Sequence, residues 1–67
     1  MQSQAPAVRR IIRLRAVRER TTLSRSTLAK LEAAGQFPRR VELGLRATGW
    51  YEGEVTAWVE SRPRKGA

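Results

Sequence analysis

The chain has 67 residues with 14 Lys+Arg against 6 Asp+Glu, a net charge of +8, and neither Cys nor His. All of its acids are Glu, so disulfide frameworks, zinc fingers, Cys or His nucleophiles, Asp triads and EF-hand loops are excluded. A domain this small has one thin core and no room for a deep substrate cavity, so no enzyme, metal site or cofactor is expected.

The sequence pI is near 11.7, and 12 of the 14 basic residues are Arg. Arg suits bidentate contact with phosphate or guanine, which places nucleic acid ahead of a membrane surface or an acidic protein as the anionic partner. Residues 1–20 hold six Arg against one Glu, whereas residues 41–67 are balanced at four against four, so the partner should face the first two thirds. There is neither an apolar leader of about 7–15 residues nor a span of about 18, and a cytoplasmic location is expected.

Residues 1–8, MQSQAPAV, read as an N-terminal tail and residues 63–67, PRKGA, as a basic C-terminal tail, leaving one domain at 9–62. Arg10 to Leu14 is short, apolar and β-branched, suiting a brief strand or extended lead-in. Leu14, Val17 and Thr21 then fall on one helical face, with Arg15, Arg18 and Arg20 elsewhere, which predicts a first helix near 15–21. Ser24 is a candidate N-cap and Gly35 stands where a left-handed C′ residue is wanted, bounding a second helix of about 25–34. Leu28 and Leu31 face inward on it, and Arg25, Ser26, Ala29, Lys30 and Ala33 outward. Two short helices joined by Thr22 to Ser24 read as a helix-turn-helix.

Pro38 closes that unit, with Phe37 as a core plug beneath it. Val41, Leu43 and Trp50 flank a Gly-bounded loop from Gly44 to Gly49, predicting a hairpin, or wing, with Arg46 at its tip. From Glu52 to Ser61 a third helix is expected, with Val55, Trp58 and Val59 inward and Glu52 and Glu54 complementing its dipole. Trp50, Trp58 and Phe37 read as core residues, and Tyr51 as a cap of the third helix or a surface residue. The fold class is therefore mainly α with a small β-hairpin, a winged helix-turn-helix of three short helices plus wing.

Five short motifs now stand in order: L-S-R-S-T-L-A-K-L from Leu23 to Leu31, G-Q-F-P at 35–38, V-E-L-G at 41–44, G-W at 49–50 and E-V-T-A-W-V at 54–59. Together they resemble the AlpA-like family of small phage and prophage regulators, which belongs with the excisionase and MerR-type winged helix-turn-helix proteins. The resemblance implies a double-stranded-DNA-binding regulator of a phage or mobile element, or an excisionase that bends DNA for a recombinase. By match to the family's recognition helix, Arg25, Ser26, Thr27 and Lys30 are candidate major-groove residues; by match to its wing, Arg46 is the candidate minor-groove or backbone contact. Where such proteins often have T-G-L-S in the helix joint, this chain has T-T-L-S, so Thr22 occupies a place suited to glycine.

The dipole argument supports Arg25 independently, because Arg at a helix N-terminus makes most sense with an anion nearby. Of the many other arginines two or three should meet phosphates, with Arg9, Arg10 and Arg39 ahead. A single module offers an interface of about 600–1,000 Å², so cooperative copies or a dimer on repeated sites are expected. An alternative of another class is a protein-interaction module, such as an antirepressor or a recombinase-binding cofactor, docking through the less basic third helix.

Overall fold

The computed structural model describes residues 9–66; the expected N-terminal tail, residues 1–8, and Ala67 lie outside the described residues. Two isoleucines form the first strand, β1 (Ile11–Ile12), and the chain turns directly into helix α1 (Leu14–Thr21). Helix α2 (Arg25–Ala33) follows after three residues. The hairpin strands are β2 (Val41–Gly44) and β3 (Ala47–Tyr51), and α3 (Glu52–Glu60) completes the fold.

Each helix presents one fully buried aliphatic residue to a shared core: Val17, Leu28 and Val55. Trp50 from β3 and Phe37 from the α2–β2 connection complete it, with Ile12, Leu14, Leu23, Leu31 and Trp58 packed around them. Phe37 meets both indoles edge-on, at centroid distances of 6.4 Å to Trp50 and 4.8 Å to Trp58. The indole N–H groups of Trp50 and Trp58 donate to the carbonyls of Pro38 (3.0 Å) and Gln36 (2.7 Å), so the buried Trp50 and the half-buried Trp58 both satisfy their donors and tie down the connection on either side of Phe37.

The joint between α1 and α2 turns on Thr22, which adopts the left-handed conformation with φ 62° and ψ 14°. Threonine thus makes the turn that glycine would make without a Cβ penalty. Thr21 supports it: its hydroxyl donates to the Val17 carbonyl at 2.9 Å and accepts the Leu23 N–H at 3.2 Å. At the far end of α2, Gly35 has φ 73° and terminates the helix as expected.

Several expectations need correcting. The stretch from Gly44 to Gly49 is not a loop: Leu45 and Arg46 alone make the turn, and Gly49 lies buried inside β3. The lead-in takes the strand form, and it is not free-standing. β1 pairs antiparallel with β3, Ile12 opposite Trp50 and Ile11 opposite Tyr51, so the hairpin becomes a three-stranded sheet in the order β1-β3-β2. Gly49 makes that pairing possible, since a Cβ there would stand 2.6 Å from Ile11 Cγ2 and 2.9 Å from the Ile12 carbonyl oxygen. Val59 is 37% exposed rather than inward, because Val55 and Trp58 already fill the side of α3 that meets the core. The helices differ from expectation by single residues at their ends: α1 begins at Leu14, α2 stops at Ala33 and α3 at Glu60. Residues 63–66 are exposed and form neither helix nor strand.

Candidate nucleic-acid interface

The N-terminus of α2 is built by Ser24, whose extended backbone (φ −73°, ψ 161°) lets its hydroxyl accept the Thr27 N–H at 3.1 Å. The same hydroxyl donates to Thr27 Oγ1 at 2.9 Å, which leaves the Thr27 O–H free to donate outward. Arg25 and Ser26 extend from the first turn and are exposed, and Lys30 is exposed one turn further on. Capping and exposure therefore coexist here: Ser24 accepts one N–H of the helix end and lies 3.4 Å from the Ser26 hydroxyl, while the side chains of this turn remain exposed.

Arg25 does not stand alone. It lines a groove with Arg13, Arg15, Arg40, Leu14, Ala29 and Thr48, bounded by the N-termini of α1 and α2 and by β3 of the hairpin. Arg13 is the N-cap of α1 and uses no side-chain capping bond, Arg15 lies in the first turn of α1, and Arg25 is the first residue of α2. Three guanidiniums thus stand at the positive ends of two helix dipoles, an unfavourable placement that an anion would relieve.

Pairing separates the arginines further. Among the described residues Arg13, Arg25 and Arg46 have no carboxylate partner, and neither have Arg18, Arg39, Arg62 and Arg64, which do not line this groove. Arg15 has only Glu19 at 3.7 Å, with the two side chains 93% and 70% exposed, a pair of the kind that holds a side chain weakly. Arg40 differs. Its backbone N–H and guanidinium donate to both oxygens of Glu32 at 2.7–2.9 Å, and its guanidinium lies 4.7 Å from the Trp50 ring centre. Those side-chain hydrogen bonds hold the Glu32 carboxyl below its ordinary range, against the opposing effect of burial. Arg40 is thereby a wall of the groove, with its charge largely compensated.

Of the residues expected from sequence, Arg9, Arg10 and Arg39 lie elsewhere. Arg9 stacks over the Tyr51 ring at 3.7 Å and reaches Glu54 at 3.5 Å, while Arg10 lies 3.8 Å from Glu52. Arg20 joins this set by pairing with Glu52 and donating to Thr56 at 3.3 Å, so α1, β1 and α3 are laced together. Arg39 lines a hollow over α3 with Tyr51, Glu54 and Trp58. Arg46 occupies the hairpin turn with φ 60°.

Arg13, Arg15 and Arg40 are the groove residues that sequence reasoning did not single out. For Arg15 the signal was present: the dipole argument applied to Arg25 holds equally for an Arg in the first turn of α1.

The family model of the prophage CP4-57 regulatory protein (AlpA) matches residues 10–63. The ORF88 protein of Enterobacteria phage P4, itself uncharacterized, is 42% identical over 53 residues, a match spanning 79% of this chain and 60% of the phage protein. The DNA-binding transcriptional activator AlpA of Escherichia coli K12 is 33% identical over 61 residues, spanning 79% of this chain and 84% of its own length. No solved structure matches significantly.

Proposed function

The chain belongs to the AlpA family of prophage regulatory proteins, and from that premise we propose that it is a sequence-specific double-stranded-DNA-binding protein regulating transcription of a phage or mobile element. In this reading α1 and α2 form a helix-turn-helix, α2 enters the major groove, and the β2–β3 hairpin is a wing on the adjacent minor groove. Arg25, Ser26, Thr27 and Lys30 meet base edges or flanking phosphates. Arg13 and Arg15 clamp the backbone at the rim of the groove, and Arg46 follows the wing onto the duplex. Arg9, Arg10 and Arg39 serve the α3 side. Nothing is catalysed; the product is an occupied or bent site.

The observation that carries this reading is the convergence of uncompensated arginines from two helix N-termini on a single groove beside the hairpin. One module of this size covers about 600–1,000 Å², so useful affinity comes from copies bound cooperatively to repeated sites. Among the described residues no helix carries a heptad seam for a coiled-coil dimer, the longest having nine residues. Selection of bound sequences from a random duplex pool tests the proposal. A recovered motif repeated at helical-turn spacing, bound with a steep loss of affinity as salt rises, supports it. Failure to enrich any sequence even at low salt overturns it.

A further inference from the structure

The tip of the hairpin is built against the ordinary rules of a tight turn. Two-residue hairpin turns favour Gly, Asn or Asp, which are polar or tolerate positive φ. Here the two residues are Leu45 and Arg46. Arg46 adopts φ 60° although it is not glycine, and Leu45 is 94% exposed, the barest large apolar side chain among the described residues. Leu43 on the same hairpin is exposed as well. Both choices at the tip disfavour the free protein, and local rules broken together mark a functional position.

We propose that Leu45 is an apolar wedge that enters the DNA minor groove and partly unstacks one base step. This rests on the reading of the hairpin as a wing and names what its tip does. Leu is among the side chains that kink a duplex by insertion, and minor-groove proteins combine such wedges with Arg or Lys in the same groove. Arg46 is that cation, and the stretch from Leu43 to Gly49 contains no acid. Charge also decides against a second copy as occupant, because two tips brought together would set Arg46 against Arg46. Unstacking costs least at pyrimidine–purine steps, so the wedge adds a preference for a TA or CA step at the wing, away from the bases that α2 reads.

The test uses the duplex recovered from the random pool, rebuilt with 2-aminopurine at each adenine outside the α2-contacted bases and with a fluorophore pair at its ends. The unmodified protein should brighten 2-aminopurine at one step and shorten the end-to-end distance. Leu45→Ala should abolish the brightening, reduce the bend and weaken binding by roughly 5- to 20-fold. Leu45→Met should retain all three, and the melting temperature of each free variant should not fall. Equal brightening and bending with Leu45→Ala overturn the wedge. So does Leu45-dependent self-association in sedimentation without DNA, which assigns the tip to a contact between copies. A duplex that is recovered and bound but never brightens sinks the wedge alone, whereas a pool that yields no duplex sinks the DNA reading with it.

Discussion

Arg9 and Arg10 precede the two-residue strand β1, and Arg13 and Arg15 follow it, yet the two pairs have different surroundings. The first pair lies against α3, with Glu54 at 3.5 Å and Glu52 at 3.8 Å and a tyrosine ring beneath Arg9. The second opens onto a groove shared with Arg25, where among the described residues the only acid paired with either is the exposed Glu19. The difference teaches that arginines flanking one short strand can belong to two populations. One is tied to Glu52, Glu54 and Glu32 and holds elements together; the other is left without compensation and is available to an anion. Proximity in the chain does not keep them together, because β1 runs antiparallel to β3: the residues before it lie by Tyr51 and Glu52, and those after it lie toward Thr48.

The comparison is broken most thoroughly at Gly49, whose missing side chain lets β1 reach β3. Gly49→Ala should destabilise the domain by about 1–3 kcal/mol, a shift read in thermal or urea melting, and should weaken DNA binding because Arg13 no longer meets Arg25 across a fixed groove. A substitution within the uncompensated set should do the reverse. Arg25→Ala should cost about 1–3 kcal/mol of binding to the selected duplex and relax preference at one base position, with the melting temperature unchanged.

Within the tied set, Glu32→Gln should cost about 1–2 kcal/mol of stability at neutral pH, because the Arg40 guanidinium then faces a neutral partner. The pH dependence has a definite sign. Glu32 is lowered from 4.5 in the folded state by the Arg40 hydrogen bonds, so its contribution is present above that value and is lost as pH falls through the lower folded one. Acid titration of the melting temperature should show the native protein losing more stability below about pH 4.5 than Glu32→Gln does.

The smallest expected effect concerns Glu42, which stands opposite Thr48 in the hairpin and so on the side that lines the groove. No cation pairs with it among the described residues. Glu42→Gln should tighten binding to all duplexes by about 2- to 3-fold at low salt, through relief of repulsion from phosphate.

What the sequence made legible was local. Ser24 and Gly35 bounded α2 to within a residue because a cap and a left-handed stop act on their own helix, and Thr22 kept the turn because only its backbone angles mattered. The role of Gly49 was hidden, since its constraint comes from Ile11 and Ile12 across the sheet, far away in the chain. Sorting the arginines was hidden for the same reason: which guanidinium is neutralised depends on where Glu32, Glu52 and Glu54 come to rest. Two sequence signals reach into the groove, the resemblance of α2 to a recognition helix and helix-end electrostatics, and the second holds for Arg15 as well as Arg25.

The most direct measurement compares the two pairs flanking β1. Arg13→Ala/Arg15→Ala and Arg9→Ala/Arg10→Ala are each titrated with the selected duplex across a salt series and melted without DNA. The Arg13/Arg15 variant should lower the slope of log K against log salt by about 2 and leave the melting temperature in place, while the Arg9/Arg10 variant should keep the slope and melt earlier. An equal loss of slope from both variants, or loss from Arg9/Arg10 alone, would contradict the division of the arginines into those that hold the fold and those that hold DNA.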